Sequence, residues 1–69
     1  MVAAVGDAVA FRFPYSLRSQ VGVVESVHYS SPVTVDGLDH EVDESELPML
    51  VVGVLFSGRW LVPAKHVLS

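Results

Sequence analysis

Sixty-nine residues, 51% hydrophobic and 17% charged, carry four Lys or Arg against eight Asp or Glu, for a net charge of −4. A chain near 60 residues hides only about 60% of its unfolded surface, so one core fits and the apolar content must supply the stability. The absence of cysteine removes disulfides and thiolate metal sites and fits a reducing compartment, with the cytoplasm as the expected location. The negative charge repels phosphate backbones and anionic lipid alike, which argues against nucleic acid and membrane as partners.

Residues 1–7 have no basic segment and no long apolar segment, so a secretory signal is not expected. Residues 7–13 alternate, with Val9, Phe11 and Phe13 on one face and Ala8, Ala10 and Arg12 on the other, which predicts a half-buried strand. Pro14 ends it, and the connection through residue 20 leaves Tyr15 and Leu17 as apolar side chains without a periodic partner. Residues 21–29 are rich in β-branched side chains, but strict alternation would bury Glu25, so a bulge is expected between Gly22 and Ser26.

Ser30, Ser31 and Pro32 form a turn, and Asp36-Gly37 between apolar flanks predicts a two-residue hairpin. Asp36, Asp39, Glu41, Asp43, Glu44 and Glu46 place six of the eight acids within eleven residues, a stretch too self-repelling for a core. A loop with one helical turn is expected there. Residues 48–56 are almost continuously apolar, which marks a strand covered on both faces or an edge covered by a partner, and the run is far short of the roughly 20 residues that a membrane-spanning helix needs. Ser57 and Gly58 suit a tight turn, residues 59–62 return as a strand, residues 63–66 fit a 3₁₀ turn, and Val67 and Leu68 close the fold. The expected fold is all-β, a five-stranded small barrel over residues 1–69 as a single domain, with Phe11, Phe13 and Phe56 inside.

Three stretches resemble the SH3-like barrel superfamily. Trp60-Leu61-Val62-Pro63-Ala64-Lys65-His66-Val67 resembles the end of signalling SH3 domains, where a strand enters a 3₁₀ turn at a proline; His66 stands where those domains carry Tyr. Residues 5–9, opening with Val5-Gly6-Asp7, and residues 21–27 with their bulged glycine resemble KOW-like barrels. Residues 9–27 are also similar to the small stromal-side barrel subunit of photosystem I. The resemblance implies an SH3-like barrel with a 3₁₀ turn before its last strand, a frame that serves many functions and fixes none.

Chemistry-bearing patterns are sparse. His28, His40 and His66 fall on different elements without ligand spacing, so no metal and no cofactor is expected, and no serine sits in a nucleophile motif. The chain is therefore expected to be non-enzymatic: a small interaction module that binds a protein partner, or another copy of itself. The candidate contacts are Tyr15, Leu17 and Trp60, taken as exposed aromatic and apolar groups, with Asp39, Glu41, Asp43 and Glu44 of the acidic loop. Three other functions fit the same features. The acidic loop suits an inhibitor that imitates a nucleic-acid backbone. Clustering of Arg12, Arg18, Arg59 and Lys65 would suit a KOW- or Tudor-like nucleic-acid-binding module. A structural subunit of a larger assembly is the last.

Overall fold

The computed structural model describes residues 3–68, and Met1, Val2 and Ser69 lie outside it. Its strands are β1 (Ala8–Phe11), β2 (Gln20–His28), β3 (Val33–Val35), β4 (Leu38–His40), β5 (Met49–Val54) and β6 (Gly58–Pro63), with 3₁₀ turns η1 (Glu44–Glu46) and η2 (Ala64–His66). The all-β expectation holds, but six strands form a four-stranded antiparallel sheet, β1-β2-β5-β6, and a separate hairpin, β3-β4, where five strands in one closed barrel were expected. The two arms beside Asp36-Gly37 pair only with each other, which accounts for the second sheet.

The bulge lies where Glu25 requires it. Val24 pairs with Val52 and Ser26 with Val51, so Glu25 is the extra residue between them. Before the bulge Gly22 and Val24 face inward; after it the parity flips and Val27 packs on the same core, while the carboxylate stays outside. Asp36 and Gly37 both have positive φ, 52° and 79°, the geometry of a primed two-residue turn whose twist matches the strands it joins.

Strand β5 is covered on both faces, as its apolar run implies. Leu50, Val52 and Val54 point into a core shared with Val9, Phe11, Val24 and Val62. Met49 and Val51 point the other way, into a second cluster with Val33, against which Val35, Val42, Leu47 and Leu61 pack. The β3–β4 hairpin is thus the lid over one half of the sheet's outer face. Arg59 on β6 ties the lid down, bonding Glu25 at the bulge and Asp36 at the hairpin turn. Both acids hold its guanidinium pKa up, the hydrogen bond to Glu25 most of all.

The apolar run does not stay buried to its end. Residues 55–57 form the turn between β5 and β6, closed by Ser57 N–H donating to the Val54 carbonyl at 2.9 Å, so the tight turn starts two residues earlier than Ser57-Gly58 suggested. Phe56, expected in the core, is instead 98% exposed with φ of +67°. Uniform hydrophobicity hid the turn, because nothing in Val54-Leu55-Phe56 signals a break.

Among the described residues, no helix is long and apolar enough to cross a membrane. The C-terminal segment returns to β1: the Arg12 amide donates to the His66 carbonyl (3.1 Å), the Leu68 amide donates to the Ala10 carbonyl (2.7 Å), and Phe11 bridges Val67.

Candidate functional site: an aromatic groove beside the two 3₁₀ turns

Phe13-Pro14-Tyr15 leaves β1 through a turn in which the Ser16 amide donates to the Phe13 carbonyl at 3.0 Å. Proline suits such a turn because its ring presets φ near about −65°. The turn brings the two rings on either side of Pro14 face to face: Phe13 and Tyr15 stack at 5.3 Å with 11° between their planes. Trp60, from β6, stacks on Phe13 at 6.0 Å and 21°. Phe11, fully buried, meets both Phe13 and Trp60 edge-on at 5.8 Å. A continuous aromatic column therefore rises from the core, through Phe13 and Trp60, to a Tyr15 ring that is 84% exposed.

Trp60 thus differs from the expectation of an exposed contact residue. It is half-buried against the main core, and its indole N–H donates to the Ser57 carbonyl at 3.1 Å. The indole follows the inward parity of Val62, two residues on along β6, which the strand period dictates once the turn is placed correctly. Its role is to hold Phe13, and through Phe13 the exposed ring.

Beside the column lies a groove of about 390 Å³. It is lined by Phe13, Pro14 and Tyr15 from the turn, Met49 of β5, Leu61 and Pro63 of β6, and Glu46 and His66 from the two 3₁₀ turns. His66 is half-buried with its ring edge on Phe13 at 5.9 Å, which makes it a packing residue. Lys65 links the two 3₁₀ turns, donating to the Ser45 carbonyl at 3.1 Å and to Glu46 at 3.3 Å. The groove is apolar and aromatic, with one carboxylate, Glu46, at its rim.

The acids singled out in the sequence lie elsewhere and are mostly engaged locally. Asp39 is on β4, not in a loop, and accepts from Thr34 directly across the hairpin at 2.6 Å. Glu41 accepts from the Ser31 hydroxyl at 2.9 Å, and that oxygen in turn accepts from the Val42 amide at 3.1 Å. Asp43 caps η1, and the Ser45 amide donating to it at 3.0 Å holds its carboxyl below the ordinary value. Glu44 is exposed and makes no side-chain hydrogen bond among the described residues. Leu17 is almost wholly exposed in the β1–β2 connection but does not line the groove. Of the seven candidates, only Tyr15 touches the groove directly.

Phe13, Pro63, Glu46 and His66 were not expected as site residues. The Phe-Pro-Tyr triplet was the available signal, since a proline between two aromatics at a strand end can bring their rings together. Among the described residues, no group of three or more His, Asp or Glu is placed to hold a metal ion. Comparison with known proteins adds no relative: no family model, no curated protein and no solved structure matches this chain.

Proposed function

We propose that the chain is a non-enzymatic interaction module whose groove binds an extended segment of a partner protein, one that combines apolar residues with a basic one. The observation that carries this reading is the aromatic column ending in an exposed Tyr15 beside the Glu46 carboxylate. A ring braced by stacking presents a large contact area with little side-chain entropy left to lose, which is what a binding anchor needs. A cation laid over Tyr15 gains from the face of the ring, and Glu46, already paired with Lys65 at 3.3 Å, has a second carboxylate oxygen to offer within the same groove. The partner is a protein; phosphate backbones and anionic lipid are poor fits to a net charge of −4.

We further propose that the frame is of the SH3-like kind, with residues 67–68 acting as a closing fifth strand of a small barrel and the β3–β4 hairpin as an excursion from it. The return of the C-terminal segment onto β1 and the 3₁₀ turn at Pro63 favour this. The cysteine-free sequence suits work in the cytoplasm.

Selection from a displayed library of random peptides tests the function. The native chain should enrich sequences that pair apolar residues with Lys or Arg, and Tyr15→Ser should enrich none of them. Identical selections by the two chains would place recognition elsewhere.

A further inference from the structure

The β3–β4 lid covers only the part of the outer sheet face that carries Met49, Val51 and Leu61. The remainder is bare: Ala8 of β1 and Val21 and Val23 of β2 point outward beside the Leu55-Phe56 turn, around a depression of about 590 Å³. It shares no lining residue with the aromatic groove. We propose that this face is a two-fold interface between two copies of the chain, in which the Phe56 ring of each copy lies in the depression of the other.

Phe56 is strained and exposed in its own chain. A bulky residue at positive φ is a strained backbone outlier, and at 98% exposure its ring makes almost no contact that could offset the strain within its own chain. Glycine or asparagine would hold the same turn without strain. A side chain that is strained and unsupported at home is explained by a contact made away from it.

Area and shape fit a second copy. Phe56 presents nearly all of the about 150–250 Å² that such a ring can bury, and with Leu55, Val21, Val23 and Ala8 the patch reaches on the order of 500–600 Å². A two-fold contact doubles this to about 1,000–1,200 Å², the lower bound for a specific interface. Knob and depression sit side by side on one surface, which is the self-complementary arrangement that a two-fold needs. Charge also fits. Among the described residues, the charged ones lining the depression are Glu25 and Arg59, which pair with each other while Arg59 also holds Asp36, whereas Asp39, Glu41, Asp43, Glu44 and Glu46 all lie off it. Two copies of a −4 chain can approach through a face whose lining charges are ion-paired and which holds none of the acids of residues 39–46. Dimerisation also enlarges the apolar interior of a chain whose own core is small.

Sedimentation equilibrium from about 1 µM to about 1 mM tests the proposal on the whole chain. The expected result is a concentration-dependent species of twice the 7.5 kDa chain mass. Phe56→Asn, which tolerates positive φ, and Val23→Thr, which keeps the β-branch, should each raise the dimer dissociation constant about 100-fold, as loss of a central contact does. At dilutions where the native chain is monomeric, Phe56→Asn should melt at the native temperature or above. Only the native chain should gain thermal stability with concentration. A monomer throughout the range, a dimer indifferent to both substitutions, or a dilute Phe56→Asn that melts lower would each overturn the proposal.

Discussion

Residues 49–56 form one apolar run in the sequence, yet its two ends meet opposite environments. Leu50 and Val52 are fully buried in one core while Met49 and Val51 fill the second cluster, so four successive residues have protein on both faces of the strand. Three and four residues beyond Val52, Leu55 and Phe56 are in water. Hydrophobicity alone does not separate these two groups; what does is whether a second layer, here the β3–β4 lid, lies over the strand at that point. Apolar groups inside the two clusters hold the fold, and those outside them, Tyr15 and Leu17 on one side and Val21, Val23, Leu55 and Phe56 on the other, are free to meet partners.

The largest effect should come from the covered end. Leu50→Ala leaves a cavity in the main core and should cost about 2–5 kcal/mol in denaturant unfolding, much of the stability of so small a domain. Phe56→Ala, at concentrations where the chain is monomeric, should change stability by no more than about 0.5 kcal/mol. A similar loss from both would erase the distinction between the two ends.

The two glycines that meet near the bulge sharpen the contrast. A Cβ on Gly22 would come to 2.5 Å from a Val52 methyl and 2.6 Å from the Gly53 carbonyl oxygen, groups fixed in the core and the backbone. A Cβ on Gly53 would meet the far end of the Glu25 side chain, which can swing away. Gly22→Ala should therefore unfold at clearly lower denaturant than Gly53→Ala, whose cost is confined to displacing Glu25 from Arg59. A reversed order would mean that the bulge and its ion pair, rather than the core contact, hold β2 on β5.

The smallest effect concerns the acidic segment. The folded state holds the Asp43 carboxyl below its ordinary value of 3.8, so folding favours the charged form. Its contribution is complete above the unfolded value and is lost as pH falls through the lower folded one. Asp43→Asn, which can still cap but does not titrate, should flatten the acid limb of the melting curve below the ordinary value of 3.8 and leave neutral stability nearly unchanged. An unchanged acid limb would show that the cap bond does not form in solution.

Much of the fold was legible because local signals agreed with one another. Asp36-Gly37 set a turn, Glu25 demanded a bulge, Pro63 opened a 3₁₀ turn, and the uncharged run of β5 required two covered faces. The site was less legible, since the features that define it are not local. Trp60 stands on the inner face because it shares the parity of Val62 along β6, while the start of the preceding turn at Leu55 is announced by no turn residue. The acids read as one cluster by sequence distance, but Asp39 and Glu41 are spent on the hairpin and Asp43 on a cap, while Glu46 pairs with Lys65 and is the one that η1 sets at the groove. Tyr15 was recognisable as an unpartnered aromatic; that Phe13 and Trp60 brace it depends on a contact across 47 residues of chain.

The most direct test of the groove is to titrate the ¹⁵N-labelled chain with a peptide selected by it and map the amide and indole shifts. The account predicts saturating shifts centred on Phe13, Tyr15, Glu46, His66 and the Trp60 indole, absent in Tyr15→Ser, with Val21, Val23 and Phe56 unmoved. Shifts centred instead on Val21, Val23, Leu55 and Phe56 would contradict it, and would assign partner recognition to the bare sheet face.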